Sequence, residues 1–79
     1  MGSIVGFIRK LRSGYSAVVF YEFIGNWWAF DEDANCVGEL LGRVVIDKGG
    51  YKSVFFRKDE FDKVMREFNN KRVLLLQHK

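Results

Sequence analysis

The spacing of apolar and polar positions changes several times along the chain, and each change marks an element. Apolar residues first fall at Ile4, Ile8, Leu11 and Tyr15, while Arg9, Lys10 and Arg12 take the opposite side. That spacing predicts a helix over 4–15, with Ser3 as its N-cap and Gly14 at its end. The next stretch, AVVFYEF, is rich in β-branched and aromatic residues and predicts a strand. IGN reads as a short turn and WWAF as a second strand, so 17–30 form a hairpin. Asp31 and Asp33 then open a helix with Ala34, Val37, Leu40 and Leu41 on its inner face, and Gly42 stops it. RVVI predicts a short strand, DKGG a turn and YKSVFF another strand. RKDEFDKVMREFNN carries the clearest helical period, with Phe61, Val64, Met65 and Phe68 on one face and acids in the first turn. RVLLLQ closes the series. Its unbroken apolar run predicts burial on both faces and a central place in the sheet.

The resulting order is α-β-β-α-β-β-α-β. It implies an α/β (α+β) fold class, with a small mixed sheet of about five strands packed with about three helices. At 79 residues the chain has the length of one domain, 1–79, with no repeat or linker.

Composition narrows the chemistry. Hydrophobic residues make up 48% of the chain and there is no proline, which is a globular composition. The single cysteine, Cys36, allows no disulfide within the chain. No apolar run is long enough to span a bilayer, and MGSIVGFIRK lacks both the apolar core of a secretory leader and the Ser or Thr that myristoylation wants at position 6. A cytoplasmic protein with no membrane partner is expected. Cys36 and His78 supply too few ligands for zinc, and a lone helical cysteine most often packs. DEDA is expected to be a solvated helix start, and DKGG is not a phosphate loop, because no helix follows it. No enzyme activity, metal or cofactor is expected. The net charge of +3 admits nucleic acid as a partner without requiring it.

The segments FIRKLRSGYSAVVFYEF, IGNWWAF, DEDANCVGELLG and FDKVMREFNNKRVLLLQ follow one another in an order that resembles the mismatch-recognition domain of the DNA mismatch-repair protein MutS. In that family a basic helix leads into a strand, a tight turn and a strand bearing Gly-x-Phe-Tyr-Glu. Asp-Asp-Ala, a helix ending in Leu-Leu-Gly, and a final helix and strand closing near a Gln complete it. Asp33-Ala34, Leu40-Leu41-Gly42 and Gln77 match in order, and the segment between Gly42 and Val54 is shorter than in the family. With Gly25 on the motif glycine, Trp27 takes the place of the phenylalanine, Trp28 the tyrosine and Ala29 the glutamate. Without a gap, Asn26 falls on the phenylalanine. Neither register supplies the glutamate. The resemblance implies mismatched-DNA binding by a stacking ring, without the ATPase region.

Adjacent strand residues point to opposite faces, so Trp27 and Trp28 cannot share one layer of core. Either both faces of the sheet are covered and both rings are core, or one ring stands near the turn and contacts a partner. On the second reading Trp27, Trp28 and Asn26 form the contact. Arg9, Lys10, Arg12, Arg57, Lys58, Lys71 and Arg72 would then meet phosphates. The alternative is a solvated basic surface and a protein-interaction module that docks through the Trp hairpin.

Overall fold

The computed structural model describes residues 1–77; His78, and with it any pairing with Cys36, lies outside the described residues. The chain runs α1 (Gly2–Tyr15), β1 (Val18–Phe23), β2 (Asn26–Phe30), α2 (Asp31–Leu41), β3 (Ile46–Lys48), β4 (Tyr51–Arg57), a 3-10 turn (Lys58–Glu60), α3 (Phe61–Glu67) and β5 (Val73–Gln77). The strands form one mixed sheet in the order β3-β4-β2-β1-β5. Among the described residues only the β1–β5 pair is parallel. The α/β class, the five strands and the three helices agree with the pattern of the sequence.

Alternation along the strands splits the core in two. Val18, Phe20, Trp27, Ala29, Val54 and Phe56 face one way and meet Ala34 and Val37 of α2, Val64 of α3 and Phe68. Val19, Tyr21 and Phe30 face the other way and meet Val5 and Ile8 of α1. Two helical faces of period 3.6 thus cover one face of a period-2 sheet, and a third helix covers part of the other. Phe20 sits edge-on to Phe56 and Phe68, with ring centroids 5.2 and 5.5 Å away.

Four local expectations are corrected. α1 starts at Gly2 with Met1 as its cap, so Ser3 lies inside the helix, and the left-handed residue that ends it is Ser16, not Gly14. The strand expected over 43–46 begins only at Ile46. Residues 43–45 instead fold back on α2, where the Arg43 N–H donates to Gly38 O at 2.8 Å. Gly38 permits that approach, because a Cβ there would lie 2.7 Å from Val45 Cγ2. The long helix expected over 57–70 is a 3-10 turn followed by only seven α-helical residues. Glu60 bends back to accept the Arg57 N–H, and i→i+3 bonds unwind the far end at Phe68 and Asn69.

The fourth correction concerns β5, which lies at an edge of the sheet and not at its centre. Its apolar run reflects cover on two faces, not two neighbours. Val73 packs on the α2/α3 side and Leu74 and Leu76 on the α1 side. Leu75 is left 45% exposed.

Cys36 is exposed on α2, contrary to the expectation that it packs. Cys36→Ser is therefore expected to shift stability by less than about 0.5 kcal/mol, as surface changes do. In the native protein the thiol should be alkylated without prior unfolding. Equal melting curves and stoichiometric labelling of the folded chain would check both points.

Candidate nucleic-acid interface

β1 and β2 are joined by two residues, Ile24 and Gly25, with φ of 50° and 78°. Two left-handed central residues make the type I′ turn that suits the twist of a hairpin. Phe23 pairs with Asn26 across it, and Asn26 in turn pairs with Arg57 of β4. The hairpin tip, the end of β4 and the 3-10 turn therefore share one end of the sheet. Ile24 stands at the tip, 82% exposed.

The two tryptophans diverge. Trp27 is 6% exposed, with its ring centroid 5.3 Å from that of Phe61. The expectation that Trp27 presents a free ring is corrected: its position in β2 turns it toward α2 and α3, which close over that face. Trp28 points the other way and is half-buried. Its ring lies 5.8 Å from that of Phe55, and its Nε1–H donates to Phe23 O at 3.4 Å. Tyr21, Trp28 and Phe55 are in register across β1, β2 and β4, so they form one aromatic row on the α1 face.

The basic residues expected to meet phosphates divide into two groups. Arg9 and Arg12 reach the start of α2, and Lys71 and Arg72 precede β5, at the end of the sheet away from the tip. Arg9 pairs with Asp31 through two hydrogen bonds and also donates to Gly50 O. The Arg9 guanidinium holds the Asp31 carboxyl below its ordinary range, against an opposing effect of burial. Arg12 makes a two-pronged pair with buried Asp33. DEDA is thus no solvated helix start at Asp33. Lys10 is exposed and makes no ion pair among the described residues. Lys71 Nζ lies 5.9 Å from the Phe68 ring centroid, and Arg72 donates to Tyr15 O. Arg57 and Lys58 belong to the tip end. Their pairs with Asp59 and Glu22 span 3.1 and 3.2 Å, and both basic side chains are more than half exposed.

Arg43 and Glu60 were not anticipated. Arg43 makes a two-pronged pair with Glu60 and donates to Phe55 O, beside the part of β4 that short β3 leaves uncovered. Its guanidinium lies 4.7 Å from the centroid of the Phe55 ring. Hydrogen bonds from Arg43 and then from the Arg57 N–H hold the Glu60 carboxyl at about 2, below its usual 4.5. A depressed carboxyl adds stability that is fully present above about 4.5 and is lost as pH falls toward about 2. The wild-type protein is therefore expected to lose more stability across that window than Glu60→Gln does. Urea unfolding at neutral pH and at pH values through the window would check this; parallel curves for the two proteins would refute it.

Among the described residues no group of three or more His, Cys, Asp or Glu is placed to hold a metal ion, and no helix is long and apolar enough to cross a membrane. No protein-family model matches the chain, and no curated protein matches it.

Proposed function

We propose that this domain is a non-catalytic, MutS domain I-like module that binds DNA with the hairpin end of its sheet. The observation that carries the reading is the make-up of that end. An exposed apolar tip, Ile24, stands beside half-buried Trp28, with Asn26 and the exposed side chains of Arg57 and Lys58 around it. The Arg57–Asp59 pair is exposed on both sides, and such pairs contribute little to stability, so Arg57 can exchange its carboxylate for a phosphate at small cost, whereas Lys58 would leave the more buried Glu22 without its cation. Trp28 takes over the aromatic role that the family resemblance assigns to the motif ring, because Trp27 is core. With no glutamate in the motif, matched and mismatched duplexes are expected to bind almost equally.

At the hairpin end Arg43, Arg57 and Lys58 are matched by Glu60, Asp59 and Glu22. Few counterions would be released on binding, and the salt dependence should be shallow, with about two or three phosphates neutralised. The same internal pairing favours a second reading, in which the half-buried Trp28 face docks a protein. Fluorescence anisotropy with matched duplex, mismatched duplex and single-stranded DNA at two salt concentrations separates the two. Salt-sensitive binding in the micromolar range supports the DNA reading. No salt-sensitive binding to any of the three would remove it in favour of the docking module.

A further inference from the structure

Ile24 occupies a position that both backbone and solvent disfavour. A type I′ turn favours Asn or Gly at its first central position, because the left-handed conformation brings Cβ against the backbone. A β-branched residue there is a true outlier. Ile24 holds φ of 50° and is 82% exposed, so no packing offsets the strain. Asn at this position would relieve the backbone and suit water better. The folded domain makes no use of this side chain, and strain of this kind collects where function uses it.

We propose that Ile24 is an apolar wedge that enters between base steps of duplex DNA and unstacks them; this rests on the DNA-binding reading above. Ile is among the side chains that open a base step by insertion. The surroundings fit this occupant better than a protein surface. The tip is one projecting aliphatic chain, not a broad apolar patch, and around it stand Asn26 and the basic side chains of Arg57 and Lys58 with their paired carboxylates Asp59 and Glu22. Protein anchors are more often aromatic or Arg side chains seated in desolvated pockets. The two-residue turn fixes the direction of the chain, and Arg57, paired with Asn26 across the sheet, and Lys58 share that end and can meet flanking phosphates.

The test uses the full chain, Ile24→Asn, Ile24→Leu, and a duplex carrying 2-aminopurine as a reporter of unstacking. Wild-type binding is expected to raise the reporter fluorescence. I24N should unfold at higher denaturant than wild type, yet bind the duplex more weakly and leave the fluorescence unchanged. I24L, which keeps an apolar chain at the tip, should restore most of the fluorescence rise. A purely structural role predicts the reverse for I24N, a less stable protein, and a lowered or lost unfolding midpoint would overturn the strain argument and the proposal with it. If I24N binds and unstacks as wild type does, the wedge is refuted while DNA binding stands. If wild type binds no duplex, the DNA reading itself fails and the wedge falls with it, leaving protein docking.

Discussion

Phe20→Ala is expected to remove most of the stability of this domain. Phe20 is fully buried in β1 and makes edge-to-face ring contacts with Phe56 of β4 and with Phe68 just past the end of α3. Truncating a buried Phe costs about 3–5 kcal/mol, and the lost ring pairs contribute to that cost. A 79-residue domain has roughly 4–12 kcal/mol in all. The variant should therefore unfold at far lower urea, or be partly unfolded without denaturant. Phe68→Ala should follow closely, since Phe68 is buried against the same ring. Phe61→Ala should lose less, because Phe61 is only half-buried, beside Trp27. A loss below about 1 kcal/mol for Phe20→Ala would mean that the α2/α3 face of the sheet is not the main core.

Elements whose signal is local were legible in the chain. The hairpin, the α2 face built on Ala34 and Val37, and the stop at Gly42 follow from neighbours within a turn or two. What was not legible depends on partners far away in sequence. Alternation places Trp27 and Trp28 on opposite faces, but only the packing of α2 and α3 decides that Trp27 is the deeper ring. β5 is apolar because helices lie on both sides of it, and its place at the edge follows from its single pairing with β1. The ion pairs Arg9–Asp31 and Arg12–Asp33 span about twenty residues. Their basic partners read as a free phosphate-binding face until α1 is laid across the start of α2. Ile24 did leave a trace: Ile-Gly stands where a two-residue hairpin turn favours Asn-Gly.

Asp33→Ala is expected to cost about 3 kcal/mol, near the lower limit for breaking a buried ion pair. Asp33 joins three elements. Its Oδ2 and Oδ1 accept hydrogen bonds from Nε and Nη2 of Arg12 at 2.9 and 3.0 Å, which ties α1 to α2. Oδ2 also accepts the Val19 N–H at 3.2 Å. Val19 pairs with Leu74 of β5, but the β1–β2 pairing runs from Phe23 only as far as Tyr21↔Trp28, so this carboxylate takes the place of a partner on the β2 side. In the alanine variant Arg12, about a third exposed, can turn to water, whereas the N–H of fully buried Val19 cannot. Asp33→Asn keeps an acceptor for Val19 and should lose less. Arg12→Ala leaves a buried carboxylate without its cation and should cost at least as much as Asp33→Ala. Urea unfolding of the two alanine variants and their double mutant isolates the pair, and the coupling should exceed about 1 kcal/mol. Additive losses would mean that Asp33 acts through Val19 alone. α1 would then be held to the sheet by Val5 and Ile8, and Arg12 would be as available to a phosphate as its sequence position suggests.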